Sequence, residues 1–423
     1  MAEIYEVKEE QERLILIGVA TYEQDDTEES LEELEDLVKT AGAVVVAKVI
    51  QNREAVHSGT YIGKGKVEEV RILLDECNAT GIVCDDELSP AQLTNLTELL
   101  GTKVMDRTLV ILDIFAARAR TGEGKIQVEL AQLKYRQARL VGLRSELGRL
   151  GGGIGTRGPG EKKLEMDRRL IKDRIAILRR EVEEMKTHRE LSRRQRQKNP
   201  VTVVSIVGYT NAGKSTLLNH LTKAGVIEEN QLFATLDPTT RNYKLPDGQE
   251  IMITDTVGFI RKLPHHLIDA FRSTLEEAKY ADILVHVVDA SNPQMETQMH
   301  IVYETLRDLG VVDKPIITVF NKQDLVREQC VEQGTEVPVF KDFHADYTVS
   351  ASIKKDENVQ GILEAIEQII RESKIFVAKT FPYAKAGEIA RIRKYGELLL
   401  EEYREDGIYV EAYVPIELMP SGD

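Results

Sequence analysis

Apolar and polar residues along the first quarter of the chain alternate with two different periods. Short apolar runs predict four strands, at residues 13–21, 43–50 and 81–85 and a fourth ending near Met105. Between them, apolar positions at helical spacing predict three helices, at residues 25–39, 67–77 and 89–100. Strands that alternate with helices are typical of a small α/β domain with a mostly parallel sheet. We expect this domain to span residues 1–108.

The pattern changes over residues 109–199. Two proline-free segments, residues 126–147 and 161–197, are rich in Leu, Gln, Arg and Glu, and their apolar residues, Leu170 among them, recur at near-heptad spacing. This spacing predicts two long helices packed on each other as an antiparallel hairpin. The connection between them, residues 148–160, has seven glycines among its thirteen residues. We therefore expect a flexible tip.

The pattern of buried strands returns over residues 200–374. Five apolar runs predict strands, at residues 203–207, 251–255, 283–288, 316–320 and 347–352. A helical pattern follows the first run directly, and a polar stretch at residues 231–241 predicts a mobile loop. These features predict a larger α/β domain, again with a mostly parallel sheet. Alternating apolar positions in residues 375–423 predict a small α+β domain.

Composition narrows the class of protein. The chain of 423 residues is long enough for more than one core, and 30% charged and 42% hydrophobic residues are ordinary for a globular protein. The apolar runs are too short for a membrane span and none resembles a signal peptide, so we expect neither insertion nor secretion. Three cysteines without metal-ligand spacing, Cys77, Cys84 and Cys330, indicate reduced thiols in a cytoplasmic protein.

Charge is distributed unevenly along the chain. The formal net charge is −15, yet residues 117–200 hold 23 Lys and Arg against 11 Asp and Glu, a local net charge of +12. A basic block inside an acidic chain favours a local contact with a polyanion. The hairpin tip and the residues that follow it carry basic side chains suited to RNA phosphates: Arg149 and Arg157 in the tip, then Lys162 and Lys163. The alternative is that the tip is only a linker and the helices present solvated charge.

A phosphate-binding motif follows the first strand of the larger α/β domain. Gly208 and the Gly213-Lys214-Ser215 triplet have the G-x-x-x-x-G-K-[ST] spacing, and a helical pattern begins directly afterwards. Backbone N–H groups of such a loop surround a polyphosphate, the lysine reaches the terminal phosphates and the serine hydroxyl ligates Mg²⁺. The loop predicts a nucleotide site formed by Gly208, Tyr209, Thr210, Asn211, Ala212, Gly213, Lys214, Ser215 and Thr216.

Two further segments are placed to contact the γ-phosphate and the metal ion. Residues 251–255 form a strand that ends on Asp255, which we expect to hold Mg²⁺ through water, and the N–H of Gly258 would face the γ-phosphate. The polar stretch 231–241 can supply a threonine hydroxyl to the metal ion. Thr235 is our first choice and Thr239 the alternative, because the spacing fits both.

A base-recognition motif ends the fourth strand of this domain. In Asn321-Lys322-Gln323-Asp324, the carboxylate of Asp324 can accept hydrogen bonds from N1–H and the exocyclic amine of guanine. Adenine offers no such pair of donors, so the motif selects GTP over ATP. The backbone of Ser350 and Ala351 is placed to contact the guanine O6. Together the motifs resemble those of translation-factor-class P-loop GTPases.

Position 259 carries information about the rate of hydrolysis. Ras-like enzymes use a glutamine after D-x-x-G to orient the attacking water, whereas this chain has Phe259. We therefore expect slow intrinsic hydrolysis that depends on a partner, another loop or a bound cation. Asn211 resembles the K⁺ ligand of potassium-stimulated GTPases, although it can equally serve only to stabilise the loop turn.

The whole chain resembles the HflX family of ribosome-associated GTPases. The resemblance rests on the α/β N-terminal domain and on GGGIGTRGPGEKKLE, GYTNAGKST, FATLDPTTR, DTVGFI and NKQD. It implies a cytoplasmic, monomeric GTPase that binds the large ribosomal subunit and its rRNA rather than DNA, with the helical hairpin near the peptidyl-transferase region. It also implies GTP-dependent splitting of stalled or idle ribosomes. The alternative is a GTP-switched assembly or rRNA-remodelling factor that splits nothing.

Overall fold

The computed structural model describes residues 11–21, 26–150, 159–196, 201–223, 232–233, 236–262 and 277–415. The chain divides into two compact units. The first comprises Met1–Met185, Gln231–Phe233 and Arg261–Phe271, and the second comprises Lys186–Asn230, Ala234–Ile260 and Arg272–Asp423.

The first unit contains a four-stranded parallel sheet with the strand order β2-β1-β3-β4. Its strands are β1 (Arg13–Ala20), β2 (Val44–Asn52), β3 (Gly81–Cys84) and β4 (Lys103–Asp106). The helices are α1 (Thr27–Thr40), α2 (Lys64–Glu76), α3 (Pro90–Leu100) and α4 (Arg107–Arg118). Every predicted strand and helix is present, so the α/β prediction is confirmed.

Local sequence explains these elements. In α1, Leu31, Leu34 and Leu37 are buried on one face because they recur every third position. Helix α3 begins at a capping box, in which the Ser89 side chain accepts from the N–H of Gln92 and the Gln92 side chain accepts from the N–H of Ser89. The sequence pattern did not resolve α4, which Asp106 caps through the N–H of Leu109.

A buried charge network lies at the carboxyl end of β3. Asp85 accepts hydrogen bonds from Arg107 (2.8 Å) and Ser30 (2.7 Å), and the ammonium group of Lys262 contacts both Asp85 and Asp86. Burial opposes ionisation of Asp85, but Arg107 and Lys262 hold its pKa below the usual range. Lys262, the second residue after the DTVGFI motif, therefore packs within the first unit.

Two long helices follow, α5 (Gly122–Leu150) and α6 (Pro159–Arg196). Leu130, Ile175 and Leu178 form their shared core, and Arg174 makes a bidentate ion pair with Glu129 at 2.7 and 2.9 Å. Leu170 is 63% exposed, so its prediction as part of the seam is wrong. The near-heptad series drifts around the helix because 3.6 residues, rather than 3.5, complete a turn.

The second unit contains a six-stranded sheet with the strand order β10-β9-β8-β5-β7-β6. The strands are β5 (Thr202–Gly208), β6 (Thr239–Lys244), β7 (Glu250–Asp255), β8 (Ile283–Asp289), β9 (Ile316–Asn321) and β10 (Tyr347–Ser350). All pairings are parallel except that of the edge strand β6 with β7. Packed around this sheet are α7 (Lys214–Thr222), α8 (Met295–Asp308), α9 (Gln323–Gln333) and α10 (Val359–Glu372).

Strand β6 corrects the prediction of a mobile loop over residues 231–241. Thr239, Thr240 and Arg241 belong to β6 and pair with β7 in register, Thr239 opposite Asp255. The hydrophobic pattern did not predict this strand because its residues are polar and partly or fully exposed, as an edge strand allows. Residues 231, 234 and 235 lie outside the described part of the chain.

The second unit also includes a three-stranded antiparallel sheet with the order β11-β13-β12. Its elements are β11 (Lys374–Phe381), α11 (Ala386–Tyr395), β12 (Glu397–Arg404) and β13 (Gly407–Pro415). Ile389 and Ile392 of α11 pack against Phe381, Val410 and Ala412 of the sheet. The prediction of a small α+β domain at the C-terminus is confirmed.

The described residues contain no helix that is both long and apolar enough to cross a membrane. The three cysteines are free thiols; Cys84 and Cys330 are buried and Cys77 is half-buried.

Candidate nucleotide-binding site

The predicted nucleotide ligands meet at one edge of the six-stranded sheet. The phosphate loop follows β5, Asp255 ends β7, Asn321 ends β9, and Ser350 ends β10 with Ala351 directly after it. These four strands run parallel, so their carboxyl ends lie side by side. Ligands of open α/β sheets bind at this edge, where helix N-termini and loops converge.

Glycine is required at three positions around the phosphate loop. Gly208 and Gly213 have φ angles of 148° and 105°, and a Cβ atom at either would lie within 2.3 Å of another residue, Val287 O or Asn321 Nδ2 respectively. At Gly258, a Cβ would lie 2.8 Å from the Cα of Thr210 and 2.9 Å from Lys214 Nζ. The loop can surround a polyphosphate closely because these positions carry no side chain.

Lys214 is the buried cation of the loop. Its side chain is 6% exposed and its ammonium group donates to the carbonyl oxygen of Tyr209 at 2.6 Å. Burial lowers the pKa of Lys214 to about 8; the charge of Asp255 opposes this shift, while that of Lys322 adds to it. The ammonium group is therefore positioned for a phosphate, whose charge would favour its protonated form.

Ser215 and Asp255 present oxygen ligands side by side. The Ser215 hydroxyl donates to Asp255 Oδ2 at 2.8 Å, joining the first turn of α7 to the end of β7. Hydroxyl and carboxylate oxygens suit Mg²⁺, which is bound by one or two protein ligands together with phosphate and water. Thr239 is half-buried opposite Asp255 in the ladder, whereas Thr235 lies outside the described residues. The choice between the two threonines stays open.

The backbone of Phe259 is tied to the phosphate loop. Its N–H donates to Gly208 O at 3.1 Å, and its carbonyl oxygen accepts from the Thr210 N–H at 2.8 Å. The ring is 1% exposed. Phe259 therefore packs into the domain instead of presenting a side chain to water at the γ-phosphate.

A glutamine at position 259 is expected to destabilise the protein without accelerating hydrolysis. Phe259→Gln removes a buried ring and buries an amide, which together should lower the free energy of unfolding by about 3 kcal/mol. Chemical denaturation and GTPase assays on Phe259→Gln and Phe259→Leu test this, with Phe259→Leu expected to lose less stability. A faster intrinsic rate in the stable glutamine variant would contradict the packing role.

Asn321 connects the phosphate loop to the loop after β10. Its amide nitrogen donates to Ala212 O at 2.9 Å and its amide oxygen accepts from the Ile353 N–H at 3.0 Å. With both ends of the amide bonded, Asn321 fixes the distance between the phosphate-binding and base-binding segments.

Asp324, at the start of α9, is held for base recognition. Its Oδ1 accepts from the Ser352 hydroxyl at 2.6 Å, which leaves Oδ2 facing away from that bond. Partial burial opposes ionisation, but this bond and the N–H groups of Asp324 and Leu325 hold the pKa of Asp324 below its usual range. Lys322 is fixed by an ion pair with Asp289 at 2.6 Å. Ser352 and Asp289 were not among the predicted residues, and only their position after strand ends could have indicated them.

The backbone predicted to contact guanine O6 is already engaged within the domain. Ala351 N–H donates to Phe320 O at 2.9 Å, and Ala351 O accepts from the Gln323 N–H at 3.2 Å. Ser350 O accepts from the Asn358 side chain at 2.8 Å. To contact guanine O6, the Ala351 N–H would have to donate to it and to Phe320 O at the same time.

The remaining loop residues line the same turn. Asn211 is exposed and has a φ of 60°, a left-handed conformation that asparagine tolerates better than most residues. Tyr209 and Ala212 are buried under the loop, and Thr216 lies in the first turn of α7. The conformation of Asn211 fits the role of stabilising the turn, and the role in K⁺ binding stays a prediction.

The predicted rRNA-contacting residues lie around the hairpin tip. Arg149 is in the last turn of α5, and Lys162 and Lys163 are in the first turns of α6. Arg157 lies outside the described residues.

Three family models match successive parts of the chain between residues 28 and 322. Residues 28–116 match a family model described as GTP-binding GTPase N-terminal, residues 118–196 match GTP-binding GTPase middle region, and residues 203–322 match 50S ribosome-binding GTPase.

Individual relatives agree with these matches. The GTPase HflX of Lacrimispora saccharolytica is 63% identical over 100% of this chain and 98% of its own length. That of Caldanaerobacter subterraneus subsp. tengcongensis is 48% identical over 98% and 93%. A solved structure, a GTP-binding protein from the archaeon Sulfolobus solfataricus with GDP, is 26% identical over 85% of this chain and 98% of that chain, with a TM-score of 0.43.

Proposed function

The chain belongs to the HflX family of GTPases, and from this premise we propose that it acts on the large ribosomal subunit to split or rescue stalled or idle ribosomes. The observation that carries the proposal is the combination of a GTPase site with a basic helical hairpin in one chain. The match of residues 203–322 to a 50S ribosome-binding GTPase model supports the choice of subunit.

In this proposal the nucleotide site works as follows. Lys214 and the N–H groups of residues 208–216 bind the phosphates, and Gly258 contacts the γ-phosphate when GTP is present. Ser215, Asp255 through water, and one of Thr235 and Thr239 hold Mg²⁺. Asp324 selects guanine, and Asn321 supports this selection by holding the base-binding and phosphate-binding segments together. When bound at these oxygens, Mg²⁺ would supply positive charge that stabilises the phosphates.

Hydrolysis in this proposal awaits an external contact. Phe259 offers no group to orient water, and its ring is buried. The residues described around Lys214 supply binding and charge, which are not sufficient to position a nucleophile. The ribosome, or K⁺ held at Asn211, would complete the site.

The hairpin provides a suitable contact with rRNA. Residues 117–200 carry a net charge of +12 within a chain of net charge −15, so this region attracts phosphates while most other parts repel them. The helices of 29 and 38 residues are each about 40 Å or more in length, since each residue adds about 1.5 Å. Tyr135 and Arg139 of α5 bond to Asp106 at the end of β4, so the first half of α5 is anchored on the α/β domain and the basic tip follows the anchored part.

Sedimentation of whole ribosomes tests the proposal. We expect GTP, or a non-hydrolysable analogue, with the protein to convert 70S particles into subunits, with the protein on the large subunit. Binding to free large subunits without any loss of 70S particles would favour the assembly or remodelling function instead. Absence from both fractions would refute a ribosomal function.

Removing charge from the tip is expected to separate ribosome action from basal turnover. The double variant Arg149→Ala, Arg157→Ala should split ribosomes about tenfold or more less effectively. Each lost arginine–phosphate contact leaves counterions on the rRNA that binding would otherwise release, and this weakens the affinity. Basal GTPase activity should be unchanged. The measurement is 70S splitting at two salt concentrations, with Arg168→Ala and Arg169→Ala on α6 as the charge-matched control. Normal splitting by the tip variant would exclude a role for these arginines.

A further inference from the structure

Large apolar side chains are concentrated at the surface of the GTPase domain, in the last turn of α9 and in the segment that joins α9 to β10. Val331 is 82% exposed, Val339 96% and Phe343 85%, and Val337 is also exposed. Single exposed apolar residues are ordinary, but four within thirteen positions are not. We refer to Val331, Val337, Val339 and Phe343 as the 331–343 patch.

The segment that carries this patch is firmly anchored. Phe340 stacks on Phe320 with ring centroids 5.1 Å apart. The 5% exposed carboxylate of Asp342 accepts from the hydroxyls of Tyr303 (2.5 Å) and Thr318 (2.7 Å) and from the N–H of His344 (2.9 Å). Phe340 and Asp342 face inward, so Val339 and Phe343, on alternate positions, remain outside. A surface held in this way loses little conformational entropy when a partner binds.

A groove of about 500 Å³ adjoins the patch, between the start of α8 and one face of α9. Its lining is apolar at Met295, Val326 and Pro338 and carries carboxylates at Glu296 and Glu336, with no lysine or arginine. Glu332, next to Val331, adds a third carboxylate. Among the described residues, none of these three glutamates forms an ion pair.

Two basic residues lie close in sequence to the patch, Arg327 and Lys341, but they do not neutralise the three carboxylates. Arg327 of α9 is ion-paired with Glu357. The Lys341 ammonium group lies 5.2 Å from the centroid of the Phe343 ring. One exposed lysine against three carboxylates leaves the groove and patch acidic.

We infer that the 331–343 patch and its groove bind a basic, aliphatic segment of a ribosomal protein of the large subunit. This inference rests on the proposed function, which supplies rRNA and ribosomal protein as the available surfaces. Apolar side chains and carboxylates do not suit rRNA, whose backbone requires cations. They do suit a protein segment that places apolar side chains on the valines and Lys or Arg beside the glutamates.

Site-specific photo-crosslinking identifies the occupant. We would place p-benzoylphenylalanine at Val339 and, as a control, at Val312, an apolar residue that is also exposed (62%) but lies between α8 and β9. Each protein is bound to purified large subunits with a non-hydrolysable GTP analogue. Position 339 is expected to crosslink to a ribosomal protein, at a peptide containing at least two basic residues, and position 312 is expected not to.

Substitutions separate the apolar from the charged contribution. Val339→Glu with Phe343→Glu, and separately Glu332→Lys with Glu336→Lys, should each weaken binding to large subunits about tenfold. Val312→Glu should leave it unchanged. All of these side chains are exposed, so folding and basal GTPase activity should be retained.

The outcomes distinguish this inference from the proposal on which it rests. If the unmodified protein pellets with large subunits but position 339 crosslinks only to rRNA, to a second copy of the chain or to nothing, the inference is overturned alone. Unchanged binding by both double variants would also overturn it. If the unmodified protein does not pellet with large subunits, the proposed function is refuted and this inference with it.

Discussion

Replacing Lys214 with alanine is expected to reduce GTP turnover by about 100-fold or more. The Lys214 ammonium group is buried beside Gly258 and within reach of Asp255, where water cannot replace its charge at the phosphates. Removing one preorganised donor from such a site typically lowers the rate by about 100-fold to 1,000-fold. Affinity should fall as well, because in the proposed site the lysine would also contact phosphate in the ground state.

Binding of a fluorescent GTP analogue and single-turnover hydrolysis measure both effects. Lys244→Ala, in the exposed part of β6, is the matched control and should behave as the unmodified protein. Equal thermal stability of the two variants would exclude unfolding as the cause. If Lys214→Ala bound and hydrolysed GTP normally, residues 208–216 would not be the phosphate site.

Asp324→Asn is expected to change which base the protein accepts. In the proposed site the carboxylate would accept from two guanine donors, N1–H and the exocyclic amine, whereas an asparagine amide would place its own N–H against that amine. GTP affinity should fall about 100-fold or more, because a site built for paired donors and acceptors rejects a mismatched partner strongly. Xanthosine triphosphate, which has a carbonyl oxygen in place of the amine, should bind better than GTP.

Competition between the two nucleotides at equal concentration gives the ratio directly. Asp308→Asn, the same chemical change on an exposed residue at the end of α8, should retain the preference for GTP. A variant at 324 that still prefers GTP would mean that another residue reads the base.

The parallel strands were predictable because they are buried on both faces. Strands β5, β8 and β9 are apolar runs, each interrupted within by a single polar residue (Ser205, His286 and Thr318), so burial on both faces marks them in the sequence. Strand β6 was missed because TTRNYK is polar and lies at the sheet edge. Helix α4 was missed because its apolar residues at 109–112 and 114–117 form a nearly continuous run, which shows no clear helical period.

The residues expected to contact the nucleotide were easier to predict than the hydrogen bonds that hold those residues in position. Lys214, Ser215, Asp255 and Asp324 lie in motifs whose spacing expresses their role. Asn321 also lies in a motif, but its bonds to Ala212 O and Ile353 N join segments more than thirty residues apart, and no local pattern indicates them. The burial of Phe259 likewise depends on tertiary packing, although its inability to orient water could be deduced from residue type.

The Asn321 amide also suggests how base and phosphate recognition act together. A shift in the segment after β10 would alter the position of Ile353 N–H and, through Asn321, that of Ala212 in the phosphate loop. Occupation of the base site is therefore expected to order the phosphate loop. This is consistent with a site that discriminates guanine before any phosphate is hydrolysed.

We propose that the GTPase site is incomplete until the large ribosomal subunit is bound. The rate of GTP hydrolysis by the full chain, at fixed Mg²⁺ and K⁺, can be measured with and without purified large subunits. We expect slow turnover by the protein alone and at least a tenfold increase when subunits are added. The same rate in both conditions would contradict it.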